Sequence, residues 1–457
     1  MRPSQWRRST HVAVSVAVLL LVAVVVAVAA MLTTGRSTEA SAGKPTPPAA
    51  TANPGVVPVA DSAPKPVPDR LAAKLAPVLA DPNLGDLTGR VTDALTGAEL
   101  WAQRADMPMQ PASTNKSLTA AAALLTLDRD ARLTTRVLRG SQPGVVVLKG
   151  GGDPTLSAAP PGEDTWYRDA ARISDLAEQV RGSGMEVTRV AVDVSTYSGP
   201  TLAPGWDPLD IDYGDIAPME SVMLDGGRTQ PVSYDSVRSH TPALDAGRAL
   251  AVALKVDPAT VTVLPGAASG EEIAAVESPP LISRLRDMMY ASDNVMAEAI
   301  GREVAAQANR PQSFDGATRA TLSALADAGI DTAGARLLDS SGLSVDDRLT
   351  AKTLDEVAQA AAGDEHPALR PLVDLLPVAG GSGTLSNRYL EGAHKDSAGF
   401  LRAKTGSLTG TNSLSGIVTD EDGRVLTFAL ISNNAGPTGR IALDNVAATL
   451  RACGCSA

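Results

Sequence analysis

The chain has 457 residues, 44% of them apolar but only 3% aromatic, with a formal net charge of −11. That length allows two or three domains with a sizeable core, which Ala, Val and Leu must fill. An acidic chain without a basic stripe interleaved with aromatics excludes a general nucleic-acid binder.

In chain order, Arg2, Arg7 and Arg8 come first, followed by an apolar run over residues 12–32 broken by a single Ser. At about 1.5 Å per residue this run spans roughly 30 Å, the thickness of a bilayer core. The arginines hold the N-terminus in the cytoplasm and place everything after the run outside. A cleaved signal peptide ending near "AVAA" is the alternative, and the run is longer than an ordinary signal core. Either way the bulk of the chain is exported: tethered to the bacterial membrane in the first reading, secreted in the second. Residues 1–36 are thus read as cytoplasmic N-terminus and anchor or signal. Residues 37–68, rich in Pro and Ala, cannot form a core and read as an extended linker.

The folded part starts at Asp69. "DRLAAKLAPVLADP" reads as a helix, and "GRVTDALTGAELWAQRA" as two strands around a turn at Thr96 and Gly97. "PASTNK", residues 111–116, opens another helix. From Gly144 to about Pro265 the texture turns to strands among glycines. Helices dominate from about Pro280 to Gly363. "GIVTDEDGRVLTFALIS" reads as a hairpin turning at "EDG", and "RIALDNVAATLRA" as a final helix. The pattern predicts an α+β domain over residues 69–130 and 268–457, carrying a β-rich insert over residues 131–267.

Within "PASTNK", Ser113 and Lys116 stand at i and i+3, on one face of a helix. A Ser at a helix start is commonly a cap and a Lys one turn later commonly faces water, so this pair alone says little. Two later stretches change that. "YASDNVMAEAI" carries Ser292, Asp293 and Asn294, and "LRAKTGSLTG" carries Lys404, Thr405, Gly406 and Ser407. S-x-x-K, S-D-N and K-T-G in that order are the motif set of penicillin-binding proteins and class A β-lactamases.

The chemistry accounts for the residue types. A Ser hydroxyl is a poor nucleophile without a base in hydrogen-bond reach. Lys116 serves only when neutral, so burial and a like charge from Lys404 are expected to lower its pKa. Ser292 passes the proton to the leaving amine and Asn294 holds the substrate amide. The N–H groups of Ser113 and Ser407 form an oxyanion hole. The substrate lies along residues 404–408, its carboxylate meeting Lys404 and Thr405, while Gly406 leaves room for it against the strand.

At these residues the chain resembles the class C low-molecular-mass penicillin-binding proteins, D-alanyl-D-alanine carboxypeptidases and endopeptidases. "GGGDPTLS", "PGWDPLDIDYGDIAP", "DSSGLS" and "LPVAGGSGTL" extend the likeness from about residue 70 to the end. The resemblance implies a penicillin-binding/β-lactamase-like transpeptidase domain, peptidoglycan stem peptides as substrate and β-lactams as inhibitors, with no cofactor. It also implies that Asp210 reaches the site from the insert to bind the far amine of a diaminopimelate stem residue. Where the family often has Arg after "SGLS", to pair with the diaminopimelate carboxylate, this chain has Val345. A class A β-lactamase would lack the long segment between Ser113 and Ser292. Carboxypeptidase and endopeptidase differ in what lies beyond the scissile bond, and both stay open, as do a non-catalytic penicillin sensor and a scaffold on the same fold.

The four His show no zinc-peptidase spacing, and G-x-S-x-G is absent. Cys453 and Cys455 are the only cysteines, and their pairing with each other is one option among several.

Overall fold

The computed structural model describes residues 61–456. The expected anchor over residues 12–32 and most of the linker lie outside them. Among the described residues no helix is long and apolar enough to cross a membrane.

The elements are, in chain order, helix α1 (Pro68–Leu79), strands β1 (Asp86–Asp93) and β2 (Glu99–Gln103), α2 (Lys116–Thr126), β3 (Thr134–Arg139), β4 (Val145–Lys149), α3 (Ile173–Gly182), β5 (Arg189–Asp193), α4 (Pro242–Ala253), β6 (Thr262–Val263) and β7 (Glu272–Glu277). Then come α5 (Leu281–Ala291), α6 (Asn294–Gln307), α7 (Phe314–Asp327), α8 (Ala351–Ala362), α9 (Pro371–Leu375), β8 (Leu401–Leu408), β9 (Thr411–Thr419), β10 (Val425–Asn433) and α10 (Gly439–Arg451).

The main sheet runs β2-β1-β10-β9-β8, antiparallel throughout. Its central strand β10 is buried from Leu426 to Ser432 because both faces are covered. Phe428 and Leu430 pack with Leu71, Leu75, Leu443 and Val446 of α1 and α10. Ala429 and Ile431, on the alternate face, pack with Leu118, Leu354 and the helices between α2 and α9. The hairpin between β9 and β10 turns at Glu421–Asp422–Gly423, where Gly423 takes a φ of 86°. The α+β architecture with an antiparallel sheet between helices is the one expected.

The insert has its own sheet, β6-β5-β4-β3-β7. β3 pairs antiparallel with β4 and β7, while β4-β5 and β5-β6 are parallel. Parallel neighbours need crossovers, and α3 and α4 supply them, burying Leu176, Val180, Ala246 and Leu250 against Val146, Val190 and Val192. The insert therefore carries helices as well as strands, and pairing of β7 with β3 carries its sheet to Glu277, past the expected boundary at residue 267.

Residues 61–67 of the expected linker are tied to the fold. Arg424 donates to the carbonyls of Asp61 and Ala63, and the Val67 N–H donates to the Cys455 carbonyl at 3.0 Å. Cys453 and Cys455 form a disulfide with each other.

Candidate active site

Five segments distant in sequence meet at one cavity of about 680 Å³, whose lining includes Ser113, Ser292, Asn294, Thr405, Ser407, Asp210 and Val345. Ser113 lies in a short turn of 3-10 helix over Ala112–Asn115 that runs straight into α2. α2 is buried from Lys116 to Leu124 because, after Ser117, its sequence is an unbroken run of Leu, Thr and Ala, and this fixes Lys116 at the bottom of the site. Ala112, just before the nucleophile, has a φ of 49°. A left-handed non-glycine residue is a strained one, held by its surroundings. Gly342 allows it: a Cβ there would stand 1.9 Å from the Ala112 carbonyl oxygen.

Lys116 Nζ donates to Ser113 Oγ (2.9 Å), Asn294 Oδ1 (2.6 Å) and the Ser341 carbonyl (2.7 Å). Two of these three partners can only accept. A neutral amine keeps two N–H bonds on them and turns its lone pair to the third, the Ser113 hydroxyl. Burial pushes the Lys116 pKa down to about 8, against the upward pull of Asp339, Glu298, Asp293 and Asp215.

Burial and like-charge repulsion from Lys404 were both expected to depress Lys116. Burial does so, while the repulsion falls on Lys404, whose pKa lies well below the ordinary lysine value through burial, Lys116 and Arg388. Lys404 is fully buried. Its Nζ donates to Ser292 Oγ (2.9 Å) and to the Thr405 carbonyl (2.8 Å).

Ser292 ends α5 in the left-handed conformation, φ 56°. Asp293 caps α6 by accepting from the Met296 N–H. It is also the anchor of this corner. Burial alone would raise its pKa, but Arg228, Arg238 and the Tyr167 hydroxyl, which donates to it at 2.8 Å, hold it below the usual range. Tyr167 and Arg228 belong to the insert, so the insert clamps the second motif; no sequence pattern pointed to them. Asn294 Nδ2 donates to the Asp215 carbonyl at 2.9 Å, which orients its amide.

β8 is an edge strand of the main sheet. The Ala403 N–H donates to the Pro377 carbonyl on the outer side, away from β9. Alternate residues of a strand direct their N–H groups the same way, so the Thr405 and Ser407 N–H groups also face outward, towards the cavity. Gly406 was expected to leave room for substrate. The space is taken by protein instead: a Cβ there would meet Ser413 Oγ at 2.2 Å, the Pro111 carbonyl at 2.8 Å and the Ser113 nitrogen at 2.9 Å. Gly406 thus lets the nucleophile's turn lie against the strand.

"DSSGLS" forms the floor. Asp339, fully buried, accepts from the N–H groups of Ser341 (3.1 Å), Gly342 (2.6 Å) and Ser344 (2.7 Å) and from Trp206 Nε1 (2.7 Å). Glu298 accepts from the Ser340 N–H at 2.9 Å. These bonds fix the Ser341 carbonyl under Lys116. Asp210 lines the cavity with Asp207 and Asp215. Its pKa is raised by partial burial and by those two neighbouring charges. Val345 lines the same cavity, half exposed.

The chain matches the D-Ala-D-Ala carboxypeptidase 3 (S13) family over residues 71–235 and 231–450. Residues 1–58 match the N-terminal domain of Rv3627c-like carboxypeptidases. It is 69% identical over 460 residues to carboxypeptidase DacB of Mycolicibacterium smegmatis, covering 100% of both chains. It is 30% identical over 455 residues to the D-alanyl-D-alanine carboxypeptidase of an Actinomadura species, covering 82% of this chain and 83% of that one. Among solved structures, penicillin-binding protein 4 (dacB) of Haemophilus influenzae shares the fold with a TM-score of 0.67 at 22% identity, over 84% of this chain and 97% of the other.

Proposed function

The chain belongs to the D-Ala-D-Ala carboxypeptidase 3 (S13) family, and we propose that this serine-type carboxypeptidase cleaves peptidoglycan stem peptides through an acyl-enzyme on Ser113. The observation that carries the assignment is the set of three partners around Lys116 Nζ. Asn294 and Ser341 hold its two N–H bonds, so the neutral amine has its lone pair on the Ser113 hydroxyl and takes that proton as Oγ attacks the carbonyl of the penultimate D-Ala. The oxyanion is received by the N–H groups of Ser113 and Ser407. Lys116 returns the proton, through Ser292 Oγ, to the departing amine of the last D-Ala. Lys404, 2.9 Å from Ser292 Oγ, orients that hydroxyl. Water then cleaves the ester, with Lys116 again taking the proton.

The acyl part of the substrate lies along the outer edge of β8 beside Thr405, Gly406 and Ser407, and Asn294 holds its amide. The amine at the far end of a diaminopimelate side chain meets Asp210, in a corner that Asp207 and Asp215 make more negative. A β-lactam carries a strained amide and a carboxylate in the same relation and acylates the same oxygen. The run over residues 12–32, with the arginines before it, tethers the enzyme outside the cytoplasm. A labelled penicillin tests the assignment: it should attach to Ser113, and Ser113→Ala should lose the label with its fold intact. Label persisting at another residue of that variant sinks it.

A further inference from the structure

The catalytic cavity has a charge that the mechanism above leaves unused. Its lining holds two cations, Arg388 and Arg440. Arg388 is committed to protein: it pairs with Asp444 through two nitrogens and packs on the Tyr389 ring. Arg440 is exposed and, among the described residues, has no ion-pair or hydrogen-bond partner. It is the second residue of α10, the end of a helix whose dipole disfavours a cation. Nothing in the packing accounts for a guanidinium there. The first turn of α10 is set beside the substrate strand. A Cβ on Gly439 would stand 3.1 Å from Asn412 Nδ2, and Asn412 is the register partner of Ser407 across β8 and β9. Arg440 lines the same cavity as Ser407, Leu408 and Thr409.

The substrate's last D-Ala brings a free carboxylate into this cavity. Lys404, expected with Thr405 to receive it, is fully buried, turned to Ser292 and the Thr405 carbonyl, and absent from the cavity lining that Thr405 joins. Building on the reading of the site as a D-Ala-D-Ala carboxypeptidase, we propose that Arg440 is the residue that recognises the free carboxylate of the leaving D-amino acid. A guanidinium matches a carboxylate with two parallel N–H bonds and stays charged at any working pH. Thr405 and the β8 edge then contribute neutral hydrogen bonds, and the charge on the leaving-group side is Arg440's. The cavity reads a peptide with its amine at the Asp210 corner and its carboxylate at the Arg440 corner. The same group would take the carboxylate next to the scissile amine in a cross-linked stem.

The test compares an acyl-D-Ala-D-Ala peptide with its C-terminal amide, on full-length wild type and on Arg440→Ala, Arg440→Lys and Arg440→Glu. The wild type should favour the acid by kcat/KM. Arg440→Ala should cut the acid-to-amide ratio by roughly 10- to 100-fold, the scale of one charge-assisted contact. Arg440→Lys should restore part of the ratio, and Arg440→Glu should lower it further. An acid-to-amide ratio unchanged in Arg440→Ala, or equal losses on both peptides, overturns the proposal. Labelling of Ser113 by saturating penicillin in the same variants separates this result from failure of the underlying reading, in which the wild type itself would take no label at Ser113.

Discussion

Lys116 Nζ stands 2.9 Å from Ser113 Oγ, with its other two bonding directions closed by Asn294 and Ser341. The proton balance of this pair sets the pH dependence. The pKa of Lys116 is lowered to about 8, so below pH 8 the amine is mostly charged and has no lone pair to offer. The acylation rate should rise about tenfold per pH unit below that point and level off above it. Lys116→Arg keeps a charge that does not leave and should lose on the order of 10²-fold or more. Stopped-flow acylation with a chromogenic β-lactam from pH 6 to 10 reads both. A flat profile in the wild type would show that the proton goes elsewhere.

Gly406 is in contact with the nucleophile's turn rather than with open space. Gly406→Ala must push back Ser413, Pro111 or the Ser113 nitrogen. Overpacking of this kind costs about 1–3 kcal/mol. Displacing one oxyanion donor should slow acylation by roughly 10²-fold. Thermal unfolding and acylation kinetics measured on the same sample check it. Normal acylation in Gly406→Ala would mean that the Ser113 N–H is not part of the oxyanion hole.

Removing the Asp339 side chain should strand four buried donors at once: three loop N–H groups and Trp206 Nε1. Loss of one partner from a buried charged cluster costs about 3–5 kcal/mol. Asp339→Ala should therefore lose stability on that scale in denaturant unfolding and also acylate poorly, since the Ser341 carbonyl drifts from Lys116. Asp339→Asn, which keeps the shape and some of the bonds, should fall between. An Asp339→Ala protein as stable as wild type would show that the loop is held by other contacts.

Asp210 shares its corner with Asp207 and Asp215. Asp210→Ala should lower kcat/KM on native stem peptides roughly 10- to 150-fold. It should hardly touch a short acyl-D-Ala-D-Ala peptide that lacks the diaminopimelate amine. Equal losses on the two substrates would remove Asp210 from amine recognition.

Val345 is 51% exposed on the cavity lining, so a diaminopimelate carboxylate beside it stays unpaired but keeps part of its water. The wild type should prefer the amidated stem peptide by no more than about tenfold, less than full burial of the charge would impose. Val345→Arg should reverse that order. Competition between the two peptides, read by mass spectrometry, decides it, and a wild-type preference for the free acid counts against the idea.

The three motifs were legible because each is local. Ser113 and Lys116 share a helix face by spacing alone, Asp293 caps the helix that carries Asn294, and β8 alternates along its own length. The hairpin that leads into β10 was legible for the same reason, from its local turn at Glu421–Asp422–Gly423. What the sequence could not show lies between segments. The acceptor of Lys116, the Ser341 carbonyl, is 225 residues away, and a backbone oxygen has no signature in a sequence. Lys404 and Arg440 are both cations near one strand, yet one is fully buried and one exposed. Only the packing of α5, β8 and α10 decides which of them faces the substrate. The tight contact at Gly406 and the Tyr167 and Arg228 clamp on Asp293 are likewise products of docking. The sequence by itself determined which groups carry the chemistry, because reactivity follows residue type and local spacing. The tertiary structure decided which of them are charged, buried or within reach, because desolvation and distance depend on neighbours that the chain brings together only on folding.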